Sequence, residues 1–180
     1  MSRIRITGGQ WRSRLLPVAG VRGLRPTPDR VRETLFNWLG QDLDGLDCLD
    51  LFAGTGVLGF EAASRGAASV TLVERDPVAF AALQKAAITL RASGVEVLRR
   101  DAVEFARNSG HMHDLVFLDP PYGRGWLQRI EPWLDRILKP DGWLYAESED
   151  MLDALGHWRT VRRGHAGQVH FHLMMRGTPE

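Results

Sequence analysis

The segment running from Asp50 through Gly54, Thr55, Gly56 and Gly59 constrains this chain more than any other. It follows the apolar run LDCLDLF and leads into VLGFEAASRG, so a strand passes into a helix through glycines in GxGxxG spacing. Such a turn lets the backbone approach a ligand closely at the carboxyl end of a buried strand. Beyond it the hydrophobic rhythm alternates. ASVTLVE, VEVLRR, DLVFLD and GWLYAES read as strands. Between them, PVAFAALQKAAITLRASG, AVEFARN and WLQRIEPWLDRIL read as helices, the last perturbed by Pro132. HWRTVRRGH and QVHFHLMMR read as a hairpin joined near Gly167. Strands alternating with helices predict a parallel sheet covered on both faces, here with an antiparallel edge. The expected fold class is α/β, doubly wound.

The first forty residues differ in chemistry. RIRITGGQWRSRLLPV reads as two short strands around Gly8-Gly9, and RPTPDRVRETLFNWLG as a helix with Thr27 as N-cap and Pro28 in the first turn. Arg3, Arg5, Arg12, Arg14, Arg22, Arg25, Arg30 and Arg32 face only Asp29 and Glu33 here, a formal +6. Since the 180-residue chain carries a net +1, residues 41–180 carry −5. The near-neutral total is a cancellation. A solvated basic arm is one reading; the other is an RNA-binding extension over 1–40, with Arg3, Arg5, Arg12, Arg14, Arg25, Arg30 and Arg32 on phosphates, joined to a catalytic domain over 41–180. Cys48 is the lone cysteine, which excludes a disulfide framework and a multi-cysteine metal site. No apolar run approaches the roughly 18 residues of a membrane span. MSRIRITGGQ has no apolar stretch after its charges, so no signal peptide is expected.

The glycine turn alone fits a dinucleotide, with Glu74 on a ribose hydroxyl. Its surroundings favour another cofactor. Asp50 ends the strand just before the glycines, where a carboxylate repels a pyrophosphate but attracts the ammonium and sulfonium of S-adenosylmethionine. Asp101-Ala102 follows the third strand, placed for an adenine amino group.

The fourth strand ends in Asp119-Pro120-Pro121-Tyr122, a turn that two prolines make rigid. An exocyclic base amine is a poor nucleophile, because its lone pair is delocalised into the ring. If Asp119 and the Pro120 carbonyl each accept an N–H, the nitrogen can pyramidalise and aim at a methyl group held in line. Tyr122 is placed to stack on a base that has left its helix or loop.

These residues carry a resemblance. RIRITGGQWRSRLLPV, GLRPTPDRVRETLFNWL, DLFAGTGVLGFEAASRGA, VFLDPPY, YAESE and GQV together resemble the bacterial RsmD family, the 16S rRNA guanine-N2 methyltransferases. The resemblance covers nearly the whole chain. It implies a Rossmann-like class I methyltransferase fold with a mostly parallel seven-stranded sheet and an antiparallel C-terminal hairpin. It also implies methyl transfer from S-adenosylmethionine to N2 of one guanine of small-subunit rRNA, on assembled or assembling subunits in the cytoplasm. By position, it places Asp50, Phe52, Gly54, Thr55, Gly56, Glu74, Arg75, Asp101, Ala102 and Asp119 on the cofactor. Asp119, Pro120, Pro121 and Tyr122 then hold the guanine amine. Methylation of adenine N6 or a protein glutamine is a same-chemistry alternative. An NAD(P)-binding protein or a non-catalytic RNA-binding assembly factor is an alternative of another class.

Other features point to packing. His170 and His172 share a strand face without a nearby acidic or cysteine partner, so no metal is expected there, and His111 and His113 read as polar surface. Trp38, Trp133 and Trp143 fall on apolar periodicities. Trp11 and Trp126 adjoin arginine loops and are candidates for RNA or pocket-rim contacts. No dimer seam is apparent, so a monomer is expected.

Overall fold

The computed structural model describes residues 3–178. A two-stranded ladder comes first, β1 (Arg3–Arg5) against β2 (Leu15–Pro17), with Ile4 opposite Leu16. Helix α1 (Asp29–Leu39) follows and ends at Gly40, whose φ of 91° suits a residue without a Cβ. The alternating part then runs β3 (Asp47–Asp50), α2 (Val57–Ser64), β4 (Ser69–Val73), α3 (Pro77–Thr89), β5 (Val95–Leu98), α4 (Ala102–Asn108) and β6 (His113–Leu118). Pro132 breaks the next helix as the sequence predicts: α5 (Trp126–Ile130) and α6 (Leu134–Ile137) are separated by a 3-10 turn over Glu131–Trp133. β7 (Leu138–Ser148), β8 (Ala154–Leu155), β9 (Trp158–Ala166) and β10 (Val169–Arg176) complete the chain.

The large sheet has the order β5-β4-β3-β6-β7-β10-β9-β8. Its first five strands are parallel, and β10, β9 and β8 continue it antiparallel. Eight strands therefore stand where seven are expected. The addition is the two-residue β8, too short to leave a periodic signal.

Because strand side chains alternate, the sheet buries two separate layers. Cys48, Val70, Leu115, Phe117 and Tyr145 face one core, closed by α1, α2 and α3. Leu49, Val116, Leu118, Leu144 and Ala146 face the other, closed by α4, α5 and α6. Ile4, Ile6, Trp11, Leu16, Val31, Leu35 and Phe36 belong to the first core. The change of charge at residue 40 is thus crossed by continuous packing. Cys48 is fully buried, and its thiol is pushed up to about 12 by burial first and by Asp47 and Asp114 next.

Two sequence assignments change. Trp11 is buried, and its backbone N–H donates to Ser64 Oγ at 2.9 Å, so it packs in the core instead of meeting RNA. Arg32, expected on phosphates, is fully buried. It donates to the carbonyls of Arg5 (2.8 Å) and Thr27 (3.1 Å) and pairs with Glu61 at 2.8 Å. A guanidinium enclosed by acceptors on three segments is a staple between the β1–β2 ladder, α1 and α2. Arg3, Arg5, Arg12, Arg14, Arg25 and Arg30 are exposed.

Candidate active site

Three carboxylates stand on one face of the sheet at the carboxyl ends of neighbouring strands: Asp50 on β3, Asp119 just past β6, and Glu147 on β7. This is where open α/β sheets bind their ligands. Asp50 is buried. Its Oδ2 accepts the Gly59 N–H at 3.2 Å, while its Oδ1 is enclosed without a hydrogen-bond partner among the described residues. Burial above all, with the charges of Glu74 and Glu147, pushes Asp50 up to about 7, against the opposing Gly59 N–H. Gly59 lets α2 lie this close, for a Cβ there would come 2.2 Å from Leu72 Cδ2. Asp50, Phe52, Gly54, Thr55 and Asp119 line one small cavity together with Leu24 and Arg25 of the N-terminal segment. An orphaned buried carboxylate oxygen on such a cavity fits a cationic group, as the ammonium of S-adenosylmethionine requires.

Gly56 takes the left-handed conformation at the start of α2, with φ 80°. Glu74 accepts the Gly54 N–H through Oε2 at 2.8 Å and the Asp76 N–H through Oε1 at 2.9 Å, tying the end of β4 to the glycine turn. Asp101 caps α4 by accepting the Glu104 N–H at 3.0 Å, and Ala102 is buried behind it. These expected cofactor residues do border the β3, β4 and β5 ends, but Glu74 and Asp101 also carry backbone roles.

Trp126, expected at an RNA contact or pocket rim, is buried on the second cavity. It packs edge-on against Phe52, with Arg129 over its ring at 4.0 Å and the exposed Arg75 at 5.3 Å. That second cavity, of about 230 Å³, begins at the residue after Asp119 and is lined by Pro120, Pro121, Tyr122, Trp126 and Glu147. Tyr122 is exposed, its ring available for stacking. Its hydroxyl is pushed up to about 12 by burial first and then by Glu147 and Asp119, so it stays neutral.

Two residues of this site escape the sequence-based expectations. Thr27 leaves its expected N-cap role to Pro28, which offers no side-chain cap. Its hydroxyl instead lies 3.2 Å from both Asp119 Oδ2 and Glu147 Oε1. Glu147 is buried, and its Oε1 also accepts the Tyr145 hydroxyl at 2.7 Å. Burial, then the neighbouring Glu147, raise Asp119 well above the usual carboxylate range. The usable signal for Glu147 is alternation: Trp143, Tyr145 and Glu147 share a face of GWLYAES, which turns a carboxylate inward at a strand end.

The histidines also differ from expectation. His113 is buried with Nδ1 donating to the Ile137 carbonyl at 2.8 Å, and His172 is buried between the Ala146 carbonyl and the Leu152 N–H. Desolvation, more than any other influence, lowers both below the usual histidine range. Asp47, His111 and His113 bring ligand-type atoms within 4.8 Å of one another. They stand at the amino ends of β3 and β6, opposite the three carboxylates.

A family model described as "Conserved hypothetical protein 95" matches residues 4–175. The chain belongs to this family. The Ribosomal RNA small subunit methyltransferase D of Escherichia coli (strain K12) is 44% identical over 183 residues, 97% of this chain and 90% of that protein. The protein of the same name from Haemophilus influenzae is 40% identical over 94% of this chain and 92% of its own length. Among solved structures, Escherichia coli yhhF superposes with a TM-score of 0.88 at 44% identity, covering 99% of this chain and 100% of that one. The superposition over nearly the whole chain agrees with the α/β fold. Among the described residues, no helix is long and apolar enough to cross a membrane.

Proposed function

We propose that this family member transfers a methyl group from S-adenosylmethionine to the exocyclic N2 of a guanine in small-subunit rRNA. The observation that carries the reading is the position of Asp119. It lines the cavity that also holds Asp50, whose Oδ1 is orphaned, and the next residue, Pro120, lines the cavity bearing Tyr122 and Glu147. When bound, S-adenosylmethionine supplies an electrophilic methyl group on a sulfonium. Asp50 holds the cationic methionine portion, and the glycine turn admits it closely. On the other side, Tyr122 stacks on the extruded base. Asp119 and the Pro120 carbonyl accept the two amine hydrogens, so the nitrogen lone pair points at the methyl carbon. The N–C bond forms as the C–S bond breaks, and the bond pair remains on sulfur. Asp119 is the adjoining acceptor for the proton the methylated amine then sheds. Most of the rate comes from this alignment, because the chemistry asks little of an acid or base. The exposed arginines of the N-terminal segment supply the phosphate contacts that hold the subunit. The names of the close relatives support the same substrate class.

The test uses small subunits from cells lacking this protein, incubated with purified enzyme and isotopically labelled S-adenosylmethionine. Nucleoside mass spectrometry is expected to find labelled N2-methylguanosine at one site. Label in N6-methyladenosine or in protein glutamine, or in neither nucleoside nor protein, would overturn the reading.

A further inference from the structure

We propose that Glu147 reads the guanine N1–H, making it the residue that selects guanine over bases with an unprotonated N1. The inference rests on the guanine-N2 reading above and adds the group that enforces it.

Guanine presents two kinds of donor side by side on one edge, the N2 amine and N1–H. A site that methylates N2 must orient this edge toward Asp119, and whatever adjoins Asp119 then meets N1. Glu147 adjoins it. β6 and β7 pair in parallel with Leu118 opposite Ala146, so the next residues on the two strands are Asp119 and Glu147. Thr27 Oγ1 lies 3.2 Å from an oxygen of each, which holds the two carboxylates in one frame. Asp119 lines the cofactor-side cavity and Glu147 the target-side one.

Glu147 is also held in a binding posture. Tyr145, fully buried, donates its hydroxyl to Oε1 at 2.7 Å. Among the described residues, no N–H or hydroxyl donates to Oε2, and the remaining neighbour of the Glu147 carboxylate is the Asp119 carboxyl, with which it shares a hydrogen bond. One oxygen is therefore fixed by the Tyr145 hydroxyl, while the other receives no N–H or hydroxyl from the protein and sits on the edge shared with Asp119. A carboxylate accepts only. It pairs with the N1–H of guanine and repels the N1 lone pair of adenine or 2-aminopurine. A buried acceptor facing a lone pair costs more than a missing hydrogen bond, which is how a polar site rejects a near isostere. The same repulsion disfavours the adenine-N6 alternative, since adenine places an N1 lone pair beside its amine.

The experiment compares small subunits reconstituted with guanine or 2-aminopurine at the target position. 2-Aminopurine keeps the N2 amine and replaces N1–H by a lone pair. Methylation is read for the wild type and for Glu147→Gln, whose amide can donate to that lone pair. The wild type is expected to prefer guanine by about 100-fold or more in kcat/KM. In Glu147→Gln that preference is expected to shrink by at least about tenfold, through a loss on guanine and a relative gain on 2-aminopurine. Equal losses on both substrates, with the preference unchanged, would mean that Glu147 only positions Asp119 and would overturn the inference. If Glu147→Gln does not fold, the wild type alone decides: parity between the two bases overturns the inference, and a large preference sustains it. Failure of the wild type to methylate N2 of guanine overturns the guanine reading itself, a result distinct from parity.

Discussion

Arg32 Nη1 lies 2.8 Å from Glu61 Oε1, and both side chains are fully buried. The pair fastens α1 to α2, and the same guanidinium donates from Nε to the carbonyl of Thr27. The residue whose hydroxyl bridges Asp119 and Glu147 is thereby anchored to the helix that follows the glycine turn.

Arg32→Ala is expected to destabilise the fold by about 3–5 kcal/mol, because it leaves Glu61 buried with Arg65 as its remaining cation. Urea denaturation at constant m-value measures this. A loss under about 1 kcal/mol would show that the pair does not staple the N-terminal segment.

Asp119→Ala is expected to lower turnover by about 10²–10³-fold, the scale of losing one group that aligns the reacting atoms. Cofactor affinity is expected to fall only a few-fold, since Asp50 and the glycine turn remain. Single-turnover kinetics and calorimetric cofactor titration separate the two. Near-wild-type turnover would remove Asp119 from the chemistry.

Asp50, raised to about 7, gives cofactor binding a pH dependence. Burial favours the neutral carboxyl, so its contribution to stability is fully present below 3.8 and is lost as pH rises through about 7. Binding a cation requires the ionised form and runs the other way. The affinity for S-adenosylmethionine is expected to weaken by up to about tenfold per pH unit below about 7 and to level off above it. In Asp50→Asn the affinity is expected to be lower and this dependence absent, as measured by titrations from about pH 5.5 to about 8.5, a window set by the same shift. An unchanged pH profile in the variant would assign the dependence elsewhere.

Arg12 and Arg14 are exposed beside β2. Reversing both to Glu is expected to weaken binding to the small subunit. The slope of log K against log salt is expected to fall by about 0.7–0.9 for each phosphate that is no longer neutralised. An unaltered slope, measured by binding across a salt series, would leave these arginines as solvated surface.

The alternation of strands and helices, the break at Pro132 and the glycine turn after β3 are all legible in the sequence. Each depends on local periodicity or on backbone restrictions at single residues. Asp50 and Asp119 are legible as well, because strand ends in such folds form the edge where ligands sit. The arginines of the first forty residues show the limit. Charge is a property of a residue, but exposure is a property of its surroundings: Arg30 points outward, while Arg32, two positions on, is enclosed by Arg5, Thr27 and Glu61. Thr27 looks like a helix cap because capping is the local option for a hydroxyl before a helix. Only strand register places Glu147 beside Asp119, and only packing of the N-terminal segment brings Thr27 to both. Periodicity along the chain was enough to set the architecture and the edge where chemistry occurs. Which side chains share that edge was settled by folding, because hydrogen bonds spanning 92 and 120 residues leave no period in the chain.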